Sequence, residues 1–109
     1  MKDHRLIDER SLAFGRAVAA KIAADPALVD LARANLTRWL ETVSPRTRPA
    51  LLEWRAILDG PPDQLLTLLR SSEERAVRLR QSSPFAGALS TAERTAILTE
   101  FQRREATAA

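Results

Sequence analysis

Pro26-Ala-Leu-Val-Asp-Leu-Ala-Arg-Ala-Asn-Leu-Thr-Arg-Trp-Leu-Glu-Thr-Val43 is the stretch that decides the fold. At about 100° per residue, Leu28, Val29, Ala32, Leu36, Trp39, Leu40 and Val43 fall within about 120° of one another, and Asp30, Arg33, Thr37 and Glu41 lie opposite. A helix with so clean an apolar stripe needs other surfaces to cover it. Asp25-Pro26 sets its start, with aspartate as N-cap and proline at the first helical position, and the same pair stops whatever precedes it.

Upstream, Asp8 is placed to cap a helix running to about Ala24. In it Phe14, Val18 and Ile22 repeat every four residues, with Leu12, Gly15 and Ala19 beside them. Ala13, Ala17, Ala20 and Ala24 form a small-residue strip on another flank, where a second backbone could come close. The two helices should pair as a hairpin.

Downstream, two prolines within Ser44-Pro-Arg-Thr-Arg-Pro49 read as a connector, because each disfavours helix at the preceding residue. Ala50–Asp59 is a third helix, with Leu51, Trp54 and Leu58 on one face and Gly60 as a left-handed cap ahead of Pro61-Pro62. Leu65, Leu66, Leu68 and Leu69 make a short fourth helix, apolar enough to be buried on both sides. Ser71-Ser-Glu-Glu74 and Ser90-Thr-Ala-Glu93 both read as capping boxes. They predict helices over about 72–81 and 91–104, the latter turning Ile97, Leu98 and Phe101 inward. No alternating strand pattern of useful length occurs. The fold class predicted is therefore all-α, a single-domain bundle of about five to six helices over residues 1–109, with 1–7 and 105–109 frayed.

Composition narrows the function. The chain has no cysteine, so disulfides, thiolate metal sites and thiol nucleophiles are excluded together. Its one histidine, His4, sits near the terminus, and one imidazole builds neither a serine triad nor a histidine metal cluster. The glycines at 15, 60 and 87 are too scattered for a phosphate-cradling loop. The sequence thus implies no enzyme, no metal and no cofactor. Nor does any apolar run approach the roughly 20 residues of a membrane-spanning helix or signal peptide, so a cytoplasmic chain without membrane contact is expected.

Basic residues number 17, of which 15 are arginine, against 14 acidic ones, and the net charge of +3 is spread evenly along the chain. A dedicated nucleic-acid binder concentrates such charge, so nucleic-acid binding is possible but not favoured. Arg70, Arg75, Arg78 and Arg80 do crowd into eleven residues. They read either as a solvated helix face or as donors for a partner's carboxylates or phosphates. The loop that follows, Ser82-Ser-Pro-Phe-Ala-Gly87, is the only apolar one. Phe85 either anchors an interface or plugs the core, with Pro84 and Gly87 shaping the turn. Trp39 and Trp54 lie on apolar stripes and read as core.

Three segments, Asp8–Ala13, Leu51–Gly60 and Arg78–Arg94, resemble a group of short bacterial proteins with a leading Asp-Glu-Arg-Ser-Leu-Ala run and Arg-Leu-Arg-Gln-Ser-Ser-Pro-Phe-Ala-Gly before a Glu-Arg helix. Such proteins are similar to antitoxins encoded beside nucleotidyltransferase-fold toxins that modify transfer RNA. The resemblance implies that this chain is the antitoxin, and that its partner is the cognate nucleotidyltransferase-fold toxin, neutralised by stoichiometric occlusion. On that reading Arg75, Arg78, Arg80, Ser82, Ser83, Pro84 and Phe85 are the partner-binding residues. The chain departs from many antitoxins in lacking an evident DNA-binding domain and a long disordered tail. The competing expectation is a DNA-binding regulator whose fourth and fifth helices form a helix-turn-helix, with Arg75, Arg78 and Arg80 on the reading helix.

Overall fold

The structure, a computed structural model, describes the backbone of residues 2–108 and the side chains of residues 5–107. The described residues form six helices and no strand: α1 (Lys2–Ala24), α2 (Leu28–Leu40), α3 (Arg48–Asp59), α4 (Pro62–Arg70), α5 (Glu74–Arg80) and α6 (Thr91–Ala108). The all-α bundle is thus observed, with every helix near its expected place. None of them is long and apolar enough to cross a membrane. His4 lies outside the described side chains.

The stripe on α2 is covered as its periodicity requires. Ala32 and Leu36 are fully buried, while Leu28, Val29, Trp39 and Leu40, with Val43 in the turn beyond the helix end, pack against the core from its margin. Trp39 is therefore half-buried at the end of its helix, and Trp54 of α3, with no exposed surface, is the larger core residue. Leu51, Trp54 and Leu58 put the whole predicted face of α3 inside. In α4, Leu65, Leu68 and Leu69 are buried and Leu66 is half-buried. Phe101 anchors α6, with Ile97 and Leu98 half-buried before it.

Asp25–Ala27 joins α1 to α2 through a tight turn. The Asp25 carboxylate accepts the Ala27 amide at 3.2 Å within this turn, and α2 begins at Leu28 behind Ala27 without a side-chain cap, two residues later than the expected start at Pro26. The most extensive packing of α1, however, is against α4, and that of α2 is against α3. The close approach on α1 occurs at Gly15, which lies against the Leu69 carbonyl at the end of α4. It does not occur on the alanine strip, where Ala20 and Ala24 are exposed.

Four local signals read differently in three dimensions. Asp8 is not an N-cap, since α1 runs back to Lys2 and places Asp8 within the helix. At its other end α6 continues beyond Arg104 to Ala108. Gly60 ends α3 in extended conformation, with φ −88° and ψ −169°, whereas the residue with positive φ is Gly87 at +87°. The two Ser-x-x-Glu patterns also diverge. In the second the box forms in full, with the Ser90 amide donating to Glu93 Oε1 at 2.7 Å and the Glu93 amide donating to Ser90 Oγ at 3.1 Å. In the first, Ser71 Oγ accepts the Glu73 amide instead, and α5 starts only at Glu74 without a side-chain cap.

Lys21 ties the second box to α1. Its Nζ donates to Glu93 Oε1 at 2.8 Å and to the Ala88 carbonyl at 2.9 Å. The hydrogen bond from Lys21, with those from Ser90, holds the Glu93 carboxyl down at about 2, against an ordinary 4.5. Because this pKa is lower in the folded state, the charge contributes stability fully above pH 4.5 and loses it as the pH falls through about 2. Glu93→Gln keeps an amide able to cap but removes the charge. In thermal melts the variant should therefore lie below the wild type at pH 6, with the gap closing as the pH falls from 4.5 towards 2. A gap independent of pH would mean that the Lys21–Glu93 pair carries no charge-dependent stability.

Candidate functional site

The three sequence segments singled out above meet at one place, the end of α5 and the connector that follows it. Arg80 Nε donates to Ser11 Oγ on α1 at 3.0 Å. The Trp54 indole of α3 donates to the Leu79 carbonyl at 2.8 Å, and its ring meets Phe85 edge-on, with centroids 6.2 Å apart and planes at 77°. Asn35, the buried polar residue of α2, donates from Nδ2 to the Pro84 carbonyl at 2.8 Å and to the Ala86 carbonyl at 3.1 Å. Its Oδ1 accepts Arg38 Nη2 at 2.7 Å, so both ends of the amide are used. Residues 82–89 are thus an ordered strap held from inside by α1, α2 and α3.

This geometry divides the expected partner-binding residues. Phe85 is 5% exposed and Pro84 is fully buried, so both serve the core and neither projects outward as an anchor inserted into a partner. Apolar side chains in a loop lower their free energy wherever a cavity is available, and here the space beside Trp54 takes them. Arg80 is turned inward as well. Its Nη1 donates to the Leu68 and Ser71 carbonyls at 3.3 and 2.6 Å, capping the C-terminal end of α4. Burial pulls this guanidinium below its ordinary pKa, and the charge of Asp8 partly restores it. Its Nη2 is buried without a hydrogen-bond partner.

Arg75 and Arg78 do face solvent, and both converge on Glu53 of α3, at 2.9 and 3.2 Å. Partial burial pushes the Glu53 carboxyl up, but its bonds to the two guanidinium groups more than reverse this and hold it below the usual value. Any carboxylate of a partner must compete with Glu53 for these donors. Ser82 and Ser83 are half-buried, their hydroxyls turned to the local backbone at Leu79 and Phe85.

The same arrangement bears on a helix-turn-helix. As a reading helix α5 has seven residues, Ala76 and Leu79 buried, Arg80 inward and the other two arginines on Glu53. At its N-terminal end, where base edges would be met, stand the exposed carboxylates of Glu73 and Glu74. Phosphate would be repelled there.

An open groove of about 440 Å³ lies between α1, the connector and the start of α6. One wall is a single stripe of α1, comprising Ile7, Arg10, Ser11, Phe14 and Val18. Phe85 and Leu89 of the connector and Leu69 of α4 supply apolar floor. Three guanidinium groups belong to its lining, Arg10, Arg80 and Arg94, and no carboxylate does. Arg94 sits over the Phe14 ring at 5.3 Å from its centroid. Sequence reading missed Arg10, Arg94 and Ile7 as a set. The available signal was Ile7, which continues the apolar repeat of α1 in front of Asp8 and is 52% exposed.

Among the described residues, no three His, Cys, Asp or Glu side chains are grouped to hold a metal ion. No family model matches this chain, and neither a curated protein nor a solved structure matches it.

Proposed function

We propose that the chain acts by binding another protein, without chemistry of its own, as the antitoxin of a nucleotidyltransferase-fold toxin. It neutralises the toxin by covering its active site in a stoichiometric complex. The family part of this reading comes from the resemblance of segments 8–13, 51–60 and 78–94. The observation that supports a binding role is the open groove, whose lining holds three guanidinium groups and no carboxylate. Occlusion requires a rigid surface of the right charge, and a helical scaffold fixed from within by Trp54, Asn35 and Arg80 supplies one.

The test is co-expression with the product of the adjacent gene. The partner alone should arrest growth, and this chain should relieve the arrest and co-elute with the partner on gel filtration. A partner that is harmless alone and elutes separately removes the proposal.

A further inference from the structure

We propose that the groove between α1 and the start of α6 receives an acidic segment of a partner protein that carries a large aliphatic or aromatic side chain. The proposal rests on the reading of the chain as a binding protein and gives that reading a surface and a partner chemistry. It moves the contact from Arg75 and Arg78 to a face built by Ile7, Arg10, Phe14 and Arg94, with Arg80 behind it.

Charge decides the sign of the occupant. Arg10 and Arg94 are exposed, and neither forms an ion pair among the described residues. Arg80 behind them is partly desolvated, and all its hydrogen-bond acceptors are neutral oxygens. Two exposed guanidinium groups without an ion-pair partner, in a depression whose lining holds no carboxylate, attract an anion, while Asp8 offsets part of the Arg80 charge behind them. Guanidinium groups meet carboxylates with paired N–H donors, and phosphates in the same way, so the apolar floor separates the two.

The floor decides the class. Leu69, Phe85, Leu89 and Val18 are apolar and mostly covered, and Ile7 at the mouth is the most exposed large aliphatic side chain of the described residues. From Ile7 to Val18 the α1 wall runs roughly 16 Å at 1.5 Å per residue, room for about five residues of extended peptide or three helical turns. A volume of about 440 Å³ takes one or two large side chains. Single-stranded nucleic acid would also be drawn to the positive charge, but it needs an open aromatic face on which successive bases stack. Here the Phe14 ring is already covered by Arg94.

The test is selection of random 12-residue peptides displayed on phage against the immobilised wild-type chain and the Arg10→Glu/Arg94→Glu variant, with a random 20-nucleotide single strand as a separate arm. Far-UV circular dichroism shows that the variant has kept its helices, and Arg94→Gln, which inverts no charge, serves as the milder version. Peptides joining Asp or Glu to Leu, Ile, Phe or Trp should be enriched, and synthetic copies should bind the double variant more weakly by roughly tenfold or more. Absence of enrichment, selected peptides without acidic residues, or binding indifferent to both variants overturns the proposal. So does binding of the oligonucleotide in preference to peptides. The readout needs no toxin. A cognate toxin that co-purifies equally with wild type and double variant removes this groove while leaving the antitoxin reading standing, and a chain that selects acidic peptides but captures no toxin does the reverse.

Discussion

Replacing Trp54 by Ala lowers the unfolding free energy by about 3–5 kcal/mol, the loss typical of a large aromatic residue removed from a closed core. The expectation follows from three coincident facts. The indole has no exposed surface, it donates to the Leu79 carbonyl at 2.8 Å, and its ring meets Phe85 edge-on. Through those contacts α3 holds both the end of α5 and the connector beyond it. Truncation therefore opens a cavity and loosens the strap that forms one side of the groove. Trp54→Phe keeps most of the apolar volume, and the Leu79 carbonyl still accepts the Ser82 amide at 3.1 Å. That variant should lose less, about 1–2 kcal/mol. Urea denaturation followed by far-UV circular dichroism gives both numbers. A loss below about 1 kcal/mol for Trp54→Ala would show that α3 does not carry the connector.

The parts of this architecture that could be read from the chain are those decided by a helix's own periodicity. The α2 stripe and the Leu51, Trp54, Leu58 face belong to that class, because repeated burial over several turns outweighs any single residue. What local patterns could not resolve was decided by residues far away in sequence. The two Ser-x-x-Glu boxes show this most directly. Ser90 is free to cap α6, with Lys21 reinforcing Glu93. The Ser71 amide instead donates to the Leu68 carbonyl and closes α4, so it is not open to the Glu74 carboxylate, and Arg80 holds the Ser71 carbonyl from the other side. Asp8 misled in a similar way. An aspartate fits an N-cap, but here it stands inside α1, where its charge lies near Arg80.

A cluster of arginines followed by an apolar loop resembles an interface anchor when seen in one dimension. In three dimensions Arg80 and Phe85 are the means by which that loop is held in place. The surface proposed for a partner is assembled from Arg10 and Arg94, at opposite ends of the chain, and the packing of α1 against α6 joins them.

Gly15→Ala should destabilise the protein even though it improves a helix. Within α1, the exchange of glycine for alanine favours the helical backbone by about 1 kcal/mol. At an exposed position that would be the result. At Gly15, however, a methyl group would lie inside the contact distance of the Leu69 carbonyl oxygen and at 3.0 Å from Arg80 Cδ. The first neighbour is backbone at the end of α4, and the second belongs to a side chain already engaged with Ser11, Leu68 and Ser71, so neither yields cheaply. Relief requires α4 to move away from its main contact surface on α1, opening the core at Leu69 and straining the Arg80 cap. Overpacking of this kind outweighs the propensity gain and leaves a net loss of about 2 kcal/mol, or roughly 10 °C in Tm for a domain near 100 residues. Ala20→Gly, on the exposed flank of the same helix, supplies the control: it should lose about 1 kcal/mol, the propensity difference alone. A calorimetric scan of the two variants decides the matter, since a Gly15→Ala protein that melts at or above the wild type would mean that α1 and α4 do not meet at this glycine.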